Sequence, residues 1–360
     1  MTIPINIPNI DKEEIREVTS VLLEKSLTSS SFDGGKRVQQ FEHLLSKFVK
    51  SKFAIAVNSG TSALQASLYA LDIKSGDEVL VPSFTFVATA NSVKAVGAKP
   101  VFVDILRENY TMDPDDLRKK VTKRTKAIIP VHLYGHVAYM EEIIELAKKN
   151  NLKIIEDASQ SLGSKFKGKH SGTFSHLGCF SFYGAKVTTS GEGGAIVTDD
   201  KNLCEKLKQI RNHGQSKNNL ITRLGLNLRL SEINAAVAKI QMKKLSLFLK
   251  QRKRNAKILT ELLQNCDVIL PKQRKNETLN WYLYTIAHKN RNKIMKKLNS
   301  LGIGATVYYS PPIHKTPYYK TKKSLANTEW AASHVLSLPI HPKVRRLDLE
   351  KMQRILGNRN

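Results

Sequence analysis

Residues 53–71, FAIAVNSGTSALQASLYAL, decide the fold. FAIAV is a continuous apolar run, the pattern of a strand covered on both faces. It enters a small-residue turn, NSGT, and then a helical period with Ala63, Leu64, Leu68 and Leu71 on its apolar side. The unit repeats downstream. EVLVP at 78–82 precedes a helix near 87–96, PVFVD at 100–104 a helix near 114–121, and KAIIPVH at 126–132 a helix at 141–150; LKIIED at 152–157 follows. Short apolar strands alternating with helices predict an α/β fold: a large domain whose mostly parallel sheet, of the seven-stranded type, is covered by helices. GCFSF near 178 and GAIVT near 194 supply its last strands.

Working outward, the spacing predicts a first helix over 11–25, with Asp11 as cap, Glu14 completing a capping box, and Ile15, Val18 and Leu22 as the inward stripe. Phe41, Leu44, Leu45 and Phe48 mark a second helix. Beyond residue 200 a helix runs to Gly214, a C-cap candidate, and a long periodic segment starts at 230. That segment links a large domain, 1–245, to a smaller C-terminal α+β domain, 246–360.

With 360 residues, 41% hydrophobic and 25% charged, the chain has the composition of a globular protein with a sizeable core. No stretch approaches the roughly 20 apolar residues of a membrane span. MTIPINIPNIDKEE lacks the basic and apolar regions of a signal peptide, so the cytoplasm is the expected location. Cys179, Cys204 and Cys266 are too scattered for a disulfide frame or a zinc site, and no metal is expected. The net charge of +27 is spread along the chain, with clusters at 117–126, 201–208, 243–257 and 289–297. No aromatic interleaving accompanies them, which argues for solvated helix faces over nucleic-acid binding.

The chemistry gathers at strand ends. In FSFYGAKVTTSGEGG, 180–194, Lys186 lies just past an aromatic, β-branched run. A lysine desolvated there loses its proton and becomes an amine nucleophile. Asp157 directly follows the strand IIE. A lysine and an aspartate about thirty residues apart, both at strand ends, are the pair that pyridoxal phosphate requires: one to hold the aldehyde, one to keep the pyridine nitrogen protonated. Asp157 has a second reading as a helix cap, and Gln160 as the third residue of a capping box. In NSGTSAL, Gly60 lets the backbone approach an anion, while Thr61 and Ser62 add hydroxyls at a helix N-terminus. The turn has neither the GxGxxG spacing nor the GK[ST] ending of nucleotide loops. Phe84 and Phe86 reach the same sheet edge, Ser181 precedes Lys186, and Asn227 and Arg229 lie just ahead of a helix that Ser231 can cap.

AVNSGTSAL, VPSFTFVATANSV, PVHLYGH, IIEDASQSLGS, CFSFYGAKVTTSGEGGAIVTDD, LGLNLRLSEINAA, VYYSPPIHKTPYY and LPIHP together resemble the DegT/StrS-type sugar aminotransferases, of aspartate-aminotransferase-like fold type I, over almost the whole length. The resemblance implies that Lys186 is the Schiff-base lysine and proton shuttle and Asp157 the pyridinium partner. It implies that Gln160 lies near the ring hydroxyl, that Thr61, Ser62 and Ser181 contact the phosphate, and that Phe86 stacks on the ring. Asn227 matches a residue that reaches the phosphate from a second subunit, implying a homodimer with shared sites. His314 falls in a loop resembling one that lines the sugar site. Val187 stands where the family has Asn after the lysine. The implied reaction moves an amino group from glutamate to a nucleotide-linked keto-deoxysugar, and TTSGEGG resembles members acting at C4 of a 4-keto-6-deoxyhexose. Two rival readings remain: another fold-type-I enzyme such as a cysteine desulfurase, and a non-catalytic regulatory or nucleic-acid-binding protein.

Overall fold

The computed structural model describes residues 2–321 and 323–357. Helices α1 (Lys12–Leu23) and α2 (Lys36–Val49) precede β1 (Phe53–Val57), which begins the repeating units. Next come α3 (Gly60–Ala70), β2 (Glu78–Pro82), α4 (Ala88–Ala95), β3 (Lys99–Val103), α5 (Pro114–Lys120), β4 (Thr125–Ile128), α6 (Met140–Lys149) and β5 (Lys153–Asp157). The short strands β6 (Lys165–Phe166) and β7 (Lys169–His170) are followed by β8 (Leu177–Ser181), β9 (Gly194–Thr198) and α7 (Lys201–Arg211). The rest comprises α8 (Glu232–Leu263), β10 (Glu277–Thr278), β11 (Tyr284–Ala287), α9 (Arg291–Ser300), α10 (Ala326–His334), β12 (Val335–Leu338) and α11 (Arg346–Gly357).

Seven strands form one sheet in the order β1-β9-β8-β5-β4-β2-β3. Only β9 runs against the others. Alternation along β1 sends Ile55 and Val57 to the face under α3 and α7, and Ala54 and Ala56 to the face under α2 and the first half of α8. Both faces are therefore covered, which is why the strands read as unbroken apolar runs.

Asp11 caps α1 with the full capping box to Glu14. The expected inward stripe is corrected: Ile15 is 61% exposed and Leu22 52%, while Glu14 and Val21 are buried. Glu14 accepts hydrogen bonds from Lys244 and Gln241 on α8. That polar seam turns the helix by one residue from the position its apolar side would choose.

The helix expected to end at Gly214 stops at Arg211; Gly214, at φ +78°, forms the turn beyond it. Helix α8 is unbroken through residue 245. Its first half contributes Ala235, Ala238, Met242 and Leu245 to the core around the sheet, and its second half Ala256, Leu259 and Leu263 to a separate core around β11, β12 and α11. The N-terminal segment joins this smaller lobe, where Ile3 bridges to Ile303. No helix among the described residues is long and apolar enough to cross a membrane.

Candidate active site

Parallel strands deliver their carboxyl ends to one edge, and the chemistry-bearing residues collect there. β1 leads into Ser59, Gly60 and Thr61; β2 into Thr85 and Phe86; β5 into Asp157, Ser159 and Gln160; β8 into Ser181, Tyr183 and Lys186. With Tyr282, Tyr308 and Tyr309 from the smaller lobe they line a cavity of about 460 Å³.

Ser59 caps α3 by accepting from the Ser62 amide at 3.0 Å. A Cβ on Gly60 would stand 2.9 Å from Ser181 Cβ and 3.3 Å from Ser159 Oγ. Glycine thus lets the first turn of α3 close against two serines, leaving a ring of small hydroxyls at a helix N-terminus, a good seat for a phosphate. The glycine-rich run after Lys186 serves the same cradle: a Cβ on Gly194 would lie 2.3 Å from the Ser59 carbonyl oxygen. Gly194 thus accommodates neighbouring backbone. Ser62 does not line the cavity; its hydroxyl donates to Asn58 Oδ1 at 2.6 Å, completing the cap.

Asp157 Oδ2 accepts from Thr89 Oγ1 at 2.8 Å and Oδ1 from the Ser159 amide at 3.2 Å. No helix follows it, which removes the helix-cap reading. Gln160 Oε1 accepts from the Tyr134 amide at 3.0 Å, and its Nε2 donates to Tyr309 Oη at 2.8 Å. Phe86 is 56% exposed on the cavity wall, its ring 5.9 Å from that of Tyr309, whereas Phe84 is core.

Lys186 is half-buried, its remaining exposed surface opening on the cavity. Its Nζ lies 4.9 Å from the centre of the Tyr282 ring. Desolvation lowers its pKa to about 8, against the opposing pull of Asp157. It is the only lysine or arginine among the described residues lining the cavity.

Three expected site residues lie elsewhere in the chain. His314 is fully buried, its Nδ1 2.7 Å from Ser83 Oγ and its Nε2 3.2 Å from Glu329, so it staples the loop after Tyr309 to the end of β2. Arg229 donates to Asn212 Oδ1 at 2.7 Å. Asn227 is exposed, with its carbonyl accepting from Asn58. Sequence reasoning missed Tyr282, Tyr308, Tyr309 and Thr89 as site residues, although Thr89 falls in VPSFTFVATANSV and Tyr308 and Tyr309 in VYYSPPIHKTPYY, two of the stretches that carry the family resemblance.

The model of the DegT/DnrJ/EryC1/StrS aminotransferase family matches residues 8–357. The chain belongs to that family. It is a pyridoxal-phosphate-dependent sugar aminotransferase. It is 36% identical to the dTDP-3-amino-3,4,6-trideoxy-alpha-D-glucose transaminase of Streptomyces venezuelae, across 93% of the chain and 90% of that protein. It is 37% identical to the UDP-2-acetamido-2-deoxy-3-oxo-D-glucuronate aminotransferase of Pseudomonas aeruginosa, across 91% and 92%. The crystal structure of S. venezuelae DesV in complex with a ketimine intermediate superposes with a TM-score of 0.92 at 33% identity, over 99% of the chain and 98% of DesV. The desulfurase reading fails on geometry too: Cys179 and Cys204 are buried away from the cavity, and burial pushes both thiols up.

The residues of this DegT-family cavity suit the cofactor. The hydroxyl cradle at α3 fits its phosphate, Asp157 a protonated ring nitrogen, Phe86 a flat ring, and the desolvated Lys186 amine its aldehyde.

Proposed function

We propose that this aminotransferase moves an amino group from glutamate to the C4 keto group of a nucleotide-linked 4-keto-6-deoxyhexose, with Lys186 as the reacting amine and Asp157 as the ring-nitrogen partner. The observation that carries the reading is a lone desolvated lysine, with its pKa lowered to about 8, in a cavity that also holds Asp157. Bound there, pyridoxal phosphate supplies an aldehyde for the donor's nitrogen and a ring that withdraws electrons from the bond being broken. Lys186, half free of its proton near pH 8, takes the proton from the donor's α-carbon in the first half of the cycle and delivers one to the sugar's keto carbon in the second. Asp157 stays oriented by Thr89 and the Ser159 amide. Tyr309, tied to Gln160, and Phe86 wall the side open to a sugar.

The nucleotide-sugar acceptor is supported by the names of the two relatives above, both of which act on nucleotide-linked sugars. Those names carry position 3; the C4 assignment rests on the resemblance of TTSGEGG to members acting at C4. With Lys186 the sole cation lining the cavity among the described residues, anionic substrates need further positive charge, which supports a homodimer with shared sites. The loop ahead of Asn227 carries Leu220, Ile221 and Leu224, all more than 60% exposed, beside Lys217 and Arg223, a surface suited to a second copy of the chain.

The test is a two-step assay on the purified protein. Glutamate should bleach the visible absorbance of the pyridoxal-phosphate form and release 2-oxoglutarate. A panel of 3-keto and 4-keto sugar nucleotides should then restore it, with the 4-keto-6-deoxyhexose fastest. Faster turnover of the 3-keto sugars overturns the C4 assignment, and no bleaching by glutamate overturns the donor.

A further inference from the structure

Four arginines are buried among the described residues, and the two most completely buried, Arg211 and Arg252, differ in company. Arg211 pairs with the Glu42 carboxylate at 2.6 Å. Arg252, in α8, meets backbone carbonyls and one amide instead. Its Nη1 donates to the carbonyls of Trp281 and Tyr282 at 3.3 and 3.1 Å, and its Nη2 donates to Asn6 Oδ1 at 2.7 Å. Its Nε has no partner among the described residues. Burial lowers its pKa to about 10, which still leaves it charged at neutral pH.

A buried cation without a counter-ion is costly, so its retention calls for a task. What it touches supplies one. Trp281 sits at φ +52°, a strained conformation for a bulky residue, and its carbonyl is one of those Arg252 holds. The next residue, Tyr282, presents the ring that faces Lys186 Nζ. On the other side Asn6 passes the contact on: its Nδ2 donates to the carbonyls of Ala185 and Lys186. Two segments remote in sequence, Asn6 and Trp281–Tyr282, thus reach the backbone or the amine of Lys186, and one guanidinium on α8 joins them.

We propose that Arg252 is a positioning residue for Lys186, acting through Asn6 on the lysine's backbone and through Tyr282 on its amine. It also ties the smaller lobe, which supplies α8's second half and the N-terminal segment, to the loop that carries the reacting group. The inference rests on Lys186 being that group.

The test uses the full-length protein with Arg252→Met, Arg252→Lys and Asn6→Asp. Asn6→Asp still accepts from Arg252 but cannot donate to the carbonyls of 185 and 186. Arg252→Met and Asn6→Asp should each lower kcat by about 10- to 100-fold, the scale of a misplaced reacting group. KM for both substrates should stay nearly constant, and amides 185–188 should exchange hydrogen faster, with or without cofactor. Arg252→Lys should recover part of the loss. Wild-type kcat in both variants, or lost kcat with unchanged exchange at 185–188, overturns the proposal. If Arg252→Met does not fold, Asn6→Asp decides by the same readings. A wild-type protein that never attaches pyridoxal phosphate to Lys186 fails the underlying assignment instead, and exchange in the cofactor-free protein still reads the tether.

Discussion

At the seam between α1 and α8, the Lys244 ammonium lies 2.7 Å from Asp11 and 2.8 Å from Glu14. At the cavity, Lys186 faces the Tyr282 ring. Burial opposes the charge on both. At Lys244, hydrogen bonds to Asp11 and Glu14 outweigh it and raise the pKa above 10.5; at Lys186 nothing outweighs it, and the pKa falls to about 8. One side chain is a structural cation and the other a base, and the difference is the carboxylates at hand. In a protein of net charge +27, most lysines resemble neither, because they are solvated. Chemistry belongs to the lysine that the fold has dried without pairing.

The sharpest way to break the contrast is Lys186→Ala, which should lower turnover by about 10⁴-fold or more, since it removes both the attachment amine and the proton carrier. It should also stabilise the cofactor-free protein. A depressed pKa means the folded state disfavours the charged amine, a penalty complete below about pH 8 and fading as pH rises toward 10.5. The gain in Tm should therefore appear at pH 7 and vanish near pH 10.5. Equal Tm values at pH 7 would mean the amine is not desolvated.

Acylation of the cofactor-free protein across pH, read by peptide mass spectrometry, compares the two lysines directly. Lys186 should reach half its maximal reactivity near pH 8, and Lys244 only above 10.5. Near neutral pH the reactive, neutral fractions should differ by at least about 300-fold, ten for each pH unit. Parallel profiles would erase the distinction.

Asp157→Asn keeps the shape beside Thr89 and the Ser159 amide but removes the charge; it should lower kcat by about 10²-fold with the fold intact. The smallest effect on catalysis belongs to Lys244→Met. It takes the cation from the buried Glu14, which keeps only its bonds from Gln241 and the Asp11 amide, and should cost about 1–2 kcal/mol by chemical denaturation, while kcat stays within about twofold of wild type. The stability that Lys244 contributes is present below pH 10.5 and lost as pH rises through its elevated value.

The same contrast explains what could be read in the sequence. The strands, the α1 capping box and the placement of Lys186 and Asp157 at strand ends follow from local patterns, and the structure brings both residues to one cavity. The helical stripe of α1 could not be read locally, because Glu14 is drawn inward by Lys244, 230 residues away. Tyr282 carries no motif, and VYYSPPIHKTPYY did not point to Tyr308 and Tyr309 in particular; all three reach the cavity only because α8 folds the smaller lobe over the sheet edge. His314 looked like a site residue by its loop, yet the Ser83 and Glu329 bonds that bury it depend on tertiary packing.

The most direct measurement is borohydride reduction of the protein with pyridoxal phosphate, followed by peptide mapping. A single reduced cofactor should appear on the peptide containing Lys186, absent from Lys186→Ala and lost when glutamate is added first. Cofactor fixed on another lysine, or none fixed at all, would contradict it.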